Sequence, residues 1–546
     1  MSNNFNRILF FIIFAITGYY LIVHNMWLSP NDDFNLINSI ENLKYYFPYS
    51  DNNKYYNPIS FGRFTPLTAM EYNLIFFISG NYSVKSIFIT HYIQFLIFEL
   101  FIIYFAIKYS ISFKQLIIIN LLFILTPAFS TIFLKTQLNE RNIFILSIII
   151  SYLFLKIYQK PEREILSTCL LCFFSILYLL YKEISFIQLI SLGFLILFLK
   201  NKNSNVIFYS LFNIIISIIF LIYYFTYVGG EHIDNYSQSK WNFIQFTKIF
   251  IHYILYDPII FILLIPVLLA MIFKRIINKE YFLKDYEVLC ISSLAIIIFY
   301  VYKPINSQYY FISIYGFSIP IFFNYLKNLN SKKFNKILIF PFLIYLLNSL
   351  PISLHNYSYL KNNSIAFNDI MIKTNKIYQE KFLNEKTMTV SLSSLKSGSG
   401  IFTYYIYEIF LCYYLKNCKD FDLISDMKWD IKNANKFPYI VGNNTNLSIY
   451  KNITKPISEI DILILGNFFY LNINSNNQIN KELLIKDHNH KEYYCTNLSY
   501  IPDYNIKELL RYFGKYIKLK NNYFNLSEYK HRIKDPNFCL MINKNI

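Results

Sequence analysis

The chain has 546 residues, 55% hydrophobic and 20% aromatic, with a formal charge of +18. Its apolar residues pile up before about residue 353, in runs such as Ile8 to Val23 and Phe208 to Tyr227 that are apolar on nearly every side, which excludes an ordinary soluble fold for that part. The lysines fall in short clusters between these runs rather than along one basic face, which argues against nucleic acid as a partner.

The pattern predicts about eleven membrane spans, near residues 8–27, 86–107, 116–133, 143–157, 165–181, 186–199, 206–227, 258–273, 288–302, 311–325 and 337–353. The first has no small-residue cleavage site and runs into Trp27-Leu28-Ser29-Pro30, as an uncleaved signal anchor does. With the N-terminus inside, every inner loop is short and basic, including Lys108 and Lys114, Lys156 and Lys160, Lys200 and Lys202, and Lys274 and Arg275. The positive-inside rule then fixes an odd number of spans and puts residues 354–546 outside. The expected fold is an α-helical polytopic membrane domain over 1–353, with a long first outer loop near 28–85, followed by an extracytoplasmic α/β domain over 354–546.

That first outer loop opens with Asn31-Asp32-Asp33-Phe34. Adjacent carboxylates at a membrane face repel each other unless a metal ion, a cationic group or a proton-donating substrate balances them. An N-cap explains them equally well, because Leu36, Ile37, Ile40 and Leu43 follow at helical spacing. Later in the loop, Phe61-Gly62-Arg63-Phe64 keeps Arg63 near an apolar surface, where it suits a phosphate or snorkels at lipid headgroups. Within the second span, Glu99 with His91 and Gln94 is a carboxylate among apolar helices, read first as a hydrogen-bond partner and second as a proton relay.

Glu140 and Arg141 close the second outer loop, where Glu140 is a candidate metal ligand or general base, or else pairs with a neighbouring loop. The third outer turn is tiny and carries Lys182-Glu183 between apolar helices, so the two charges face a partner, a cavity or each other. Lys182 suits a lipid-linked phosphate. Glu231, His232 and Asp234 in the middle loop, and Lys303, Gln308, Tyr309 and Tyr310 in the fifth, add polar groups on the same side.

The outer part has strand-like runs at Thr387 to Leu392 and Ile460 to Leu465, and helix-like runs near 401–416 and 506–517. Its Cys412, Cys418, Cys495 and Cys539 permit one or two disulfides. Asp487, His488 and His490 form a loose tract read as an exposed polar loop rather than a metal site.

Taken together, Asp32-Asp33, Glu140 and Lys182-Glu183 resemble the GT-C superfamily of polytopic glycosyltransferases, which take sugars from polyprenyl phosphate. Protein O-mannosyltransferases and lipid A aminoarabinose transferases have the most similar layout. The resemblance covers roughly residues 1–353 and rests on short motifs placed together on one side of the membrane. It implies Asp32, Asp33 and Glu140 as catalytic residues, with Asp33 or Asp32 as general base, and Arg63, Arg141, Lys182, Glu183, Lys303 and Tyr309 in substrate binding. It also implies a divalent cation, Mg or Mn, as an optional cofactor held by Asp33 and Glu140. The partners are a polyprenyl-phosphate sugar, a glycan, lipid or protein acceptor, and membrane lipids, in a bacterial inner membrane. A transporter or flippase of lipid-linked saccharide is the main rival, and an O-antigen polymerase or ligase the second.

Overall fold

The computed structural model describes residues 2–28, 65–68, 70–80, 83–136, 138–159, 164–200, 202–228, 247, 250–251, 253–254, 257–279, 282–302, 309–327, 342–383, 387–392, 407, 410–416, 421–424, 457–466, 489–501 and 537–546. Helices α1 (Ser2–Ile22), α2 (Met70–Ser79) and α3 (Val84–Lys108) come first. They are followed by α4 (Phe113–Ile124), α5 (Pro127–Leu134), α6 (Glu140–Gln159), α7 (Ile165–Tyr181), α8 (Ser185–Ile196) and α9 (Ser204–Tyr223). A π-helical stretch, Ile259–Leu264, leads into α10 (Ile265–Ile277), and then come α11 (Asp285–Tyr302), α12 (Ile312–Lys327) and α13 (Leu350–Lys381). Strands β1 (Met388–Leu392), β2 (Phe421–Leu423), β3 (Ile462–Gly466), β4 (His490–Cys495) and β5 (Phe538–Asn543) complete the order.

The chain forms two compact units. One takes α1 and the described residues 65–68 together with Ile89–Leu354; the other is built on His355–Ile546 with Glu71–Phe88.

Five helical stretches are long and apolar enough to cross a membrane: Phe5–Ile22, Val84–Lys108, Glu140–Gln159, Ser204–Thr226 and Ile259–Ile277. The pair α4 and α5 makes a sixth if it counts as one bent span. The apolar α7 and α8, with 17 and 12 residues, fall short of that length, since a helix rises only about 1.5 Å per residue against a hydrocarbon core of about 30 Å. The chain is therefore a multi-pass helical protein by length and composition, with five or six such stretches among the described residues.

The predicted span at 116–133 is not straight. Ser112 and Gln115 form a capping box that starts α4, but Thr126 then caps a new helix whose first residue is Pro127. The two helices bend by 66°. Every residue of α5 is buried. Its terminal carbonyls, which a helix leaves without internal partners, are taken by side chains of other helices. Arg141 Nη1 donates to the carbonyls of Ile132 and Lys135, each at 3.1 Å. His91 Nδ1 donates to that of Phe133 at 2.8 Å. At the break itself, Ser353 Oγ donates to the Thr126 carbonyl at 3.2 Å.

Close helix contacts are made through small residues. Gly316 of α12 lies against α6 so tightly that an added Cβ would stand 1.8 Å from Ser147 Oγ and 3.0 Å from the Phe144 carbonyl. At the other end of the bundle, Arg275 and Glu287 form a buried ion pair, which the Phe282 carbonyl and the Lys284 N–H complete. Arg275, expected as a loop cation, thus ties α10 to α11.

The second unit contains a five-stranded sheet in the order β2-β1-β3-β5-β4. β1 pairs in parallel with β2 and β3, whereas β5 is antiparallel to β3 and β4. The parallel centre explains why β1 reads Met-Thr-Val-Ser-Leu and is buried throughout. One face packs Val390, Leu392, Ile462 and Leu540 against Phe367, Ile370 and Met371 of α13 and against Phe410 and Leu411. The expected strands at 387–392 and 460–465 correspond to β1 and β3. Cys495 and Cys539, opposite each other on β4 and β5, form a disulfide. Cys412 is disulfide-bonded as well.

Candidate functional site

Four predicted outer loops of the first unit meet at one end of its helices. Glu140 opens α6, where the helix dipole favours an acidic side chain. Lys182 follows the last residue of α7 in a three-residue link to α8, too short to move far from the helix ends. Its Nζ donates to Glu140 Oε1 at 2.8 Å, with the two side chains 14% and 3% exposed. At that burial, an ion pair carries much of the cost of losing either member.

The fifth loop supplies the rings. Lys182 Nζ lies 5.4 Å from the centre of the Tyr310 ring, within cation–π range. Tyr310 stacks on the buried Tyr300 at 4.5 Å with the ring planes 4° apart, and Tyr309 sits edge-on to Tyr310 at 5.0 Å. The first loop contributes its tail. Leu67 N–H donates to the Leu180 carbonyl at the end of α7, and Asn139 Nδ2 donates to Thr68 Oγ1 at 2.8 Å. Thr68 in turn donates to the Thr65 carbonyl. Glu183 stands beside Lys182 with Oε2 buried and without a hydrogen-bond partner. Tyr300 is within electrostatic range of both Glu140 and Glu183.

Arg141, next to Glu140, is fully buried and turned into the bundle. Besides the α5 carbonyls, its Nε donates to Gln94 Oε1 at 2.5 Å, and Gln94 Nε2 donates to Asn142 Oδ1 at 2.6 Å. Its contacts hold α3, α5 and α6 together. His91 and Gln94, singled out with Glu99, both belong to this cluster. Glu99 itself accepts from Asn120 Nδ2 at both oxygens, 3.0 and 2.8 Å, in keeping with the hydrogen-bonding role read for it first.

Asp32, Asp33, Arg63 and Lys303 lie outside the described residues, as do Glu231, His232, Asp234 and Gln308. Asp487 and His488 do too, whereas His490 is buried in β4 with Nε2 bonded to the Ile460 carbonyl. Among the described residues no group of three His, Cys, Asp or Glu side chains is gathered as a metal site. Glu140 is the single described member of the implied metal pair, and one of its oxygens is on Lys182.

Sequence reasoning passed over Asp257. It sits in Tyr256-Asp257-Pro258, directly ahead of an apolar run, and is 1% exposed. A carboxylate at the mouth of a span, followed by proline, was the available signal. No protein-family model, no curated protein and no solved structure matches the chain.

Proposed function

We propose that the chain is an integral membrane glycosyltransferase, which moves a sugar from a polyprenyl-phosphate donor to an acceptor hydroxyl on the extracytoplasmic side. The observation that carries this reading is Lys182, set between Glu140 and the Tyr310 ring where four loops converge. A half-buried ammonium at a helix end stabilises charge that grows on a leaving phosphate far better than one in water. Glu140 holds that ammonium in place, and Glu183, with an unpartnered oxygen beside it, is suited to an acceptor hydroxyl.

Asp33 or Asp32 then takes the acceptor proton as the anomeric carbon is attacked, and a single displacement inverts that centre. Arg63, Lys303 and Tyr309 complete the donor site in this reading, whereas Arg141 acts by positioning Glu140 on α6. A divalent ion, where used, would be held by Asp33 with Glu140 and would offset phosphate charge. The eleven-span topology, the GT-C membership and the bacterial inner membrane belong to the same proposal. The Cys495–Cys539 disulfide supports an oxidising, extracytoplasmic location for the second unit.

Membranes containing the protein are supplied with labelled polyprenyl-phosphate sugars, and the parent is compared with Lys182→Met, Asp32→Asn and Asp33→Asn. Transfer by the parent and its loss in Lys182→Met and in one Asp variant are expected. Undiminished transfer in all three variants removes the assignment.

One observation favours the second reading, a transporter or flippase of lipid-linked saccharide. The 66° break between α4 and α5 is the kind of interrupted helix that transporters use near their binding sites. Translocation of a labelled lipid-linked sugar without glycosyl transfer selects that reading.

A further inference from the structure

Asp257 lies one residue ahead of Pro258, where the chain enters the π-helical stretch that leads to α10. Its Oδ1 accepts a hydrogen bond from Tyr315 Oη of α12 at 2.9 Å. Its Oδ2 is buried and has no hydrogen-bond partner. Tyr253 and Ile260 are fully buried on either side of it in the chain, and Phe311, one helical turn before Tyr315, is fully buried as well. Among the described residues, the titratable groups around the pair are tyrosines: Tyr315 itself, Tyr345, which is in electrostatic range of Tyr315, and Tyr253, whose carbonyl accepts the Asp257 N–H. None of the ion pairs among the described residues includes Asp257.

Two charge states compete here. An ionised Asp257 is a buried charge with one neutral donor, which leaves most of its desolvation cost uncompensated. A neutral Asp257 leaves only one O–H unpaired, a far smaller cost than an unpaired charge. The neutral acid is the cheaper state, and the unpartnered Oδ2 is where its proton belongs.

We infer that the Asp257–Tyr315 pair is a proton-binding site, with the proton on Oδ2 and the Tyr315 hydroxyl donating to Oδ1. Release of that proton to water leaves a charge in an aromatic wall. Release is therefore linked to hydration of the carboxylate, which requires the 257–264 segment and α12 to part. The site lies on the side of the bundle that carries Lys182. Ring contacts connect the two regions: Tyr253 to Phe311 at 4.3 Å, Phe311 to Tyr300 at 5.7 Å, and Tyr300 to Tyr310 at 4.5 Å. This proton site does not depend on the chemistry proposed for Lys182.

The test is infrared spectroscopy of the full chain in lipid, recorded as pH is raised, reading the carbonyl stretch of a protonated carboxyl. The parent is expected to show a band that Asp257→Asn lacks and that fades with rising pH. In Tyr315→Phe the fading moves to higher pH, because the lost hydroxyl donates better to the ion than to the acid. Incorporation of carbon-13 aspartate shifts the same band in the parent and identifies it even if Asp257→Asn does not fold. Absence of an aspartic acid band at every pH overturns the site. So does a band that neither fades with pH nor moves in Tyr315→Phe.

Discussion

Lys182 and Glu140 are 42 residues apart in sequence, yet their charged atoms meet at 2.8 Å on the ends of adjacent helices. The contact joins two predicted loops and leaves little of either side chain to solvent. Lys182→Met strands a carboxylate that is 3% exposed, and the expected loss of stability is about 3–5 kcal/mol. The double variant Lys182→Met with Glu140→Gln recovers most of that loss and, on the proposed function, does not regain transfer. Thermal unfolding in detergent checks the coupling, and simple addition of the two single effects would count against it.

Arg141 presents a different case, because its bonds include two backbone carbonyls and the Gln94 amide. Arg141→Met leaves the acceptors of Ile132, Lys135 and Gln94 with fewer donors, at about 1–3 kcal/mol for each group left unsatisfied. Arg141→Lys should rescue little, since one ammonium cannot reproduce a planar fork that reaches three acceptors. Unfolding midpoints of the two variants are therefore expected to lie close together and well below the parent. A lysine variant as stable as the parent would contradict this.

Gly316→Ala places a methyl group against Ser147 Oγ and the Phe144 carbonyl. Overpacking of this kind costs about 1–3 kcal/mol. Adding Ser147→Ala removes the hydroxyl and is expected to restore part of the loss, leaving the contact with the Phe144 carbonyl. The comparison of single and double variants by thermal unfolding tests whether α6 and α12 pack as closely as described.

The Cys495–Cys539 bridge spans 44 residues of sequence. By the chain-entropy account, closing a loop of that size stabilises the folded state by about 4 kcal/mol. Replacing both cysteines with serine should lower the unfolding temperature of the second unit, and reductant should do the same to the parent.

Much of the helical part was legible because hydropathy needs no tertiary information. The runs at 165–181, 206–227 and 311–325 correspond closely to α7, α9 and α12. The break after α4 was missed although Thr126 and Pro127 are a helix-start pair, since an apolar run long enough to span hides a change of direction. β1 and β3 were legible as short β-branched runs. β4 was not, because His-Lys-Glu-Tyr-Tyr-Cys has an exposed face and no clear alternation. Of the candidate site, Glu140 and Lys182 were recognisable as charges beside the membrane. That Glu140 pairs with a neighbouring loop was one of the readings, but that Lys182 is the partner was not legible, because it depends on how α6 and α7 pack. Arg141 was expected in substrate binding and its turn into the bundle was not legible for the same reason, and Asp257 drew no notice because one carboxylate beside a span is common.

The bend at Thr126 carries an implication for biogenesis. The helix α5 is enclosed along its whole length by protein, and the donors that quench its last carbonyls come from His91, already synthesised, and Arg141, not yet made when α5 emerges. The Thr126 carbonyl, already bonded to the Ser130 N–H of α5, gains a second donor from Ser353 much later. Left alone in hydrocarbon, such backbone groups are strongly disfavoured. The nascent α4–α5 segment must accordingly be sheltered until α6 arrives, so the end of α5 is completed only after Arg141 is in place.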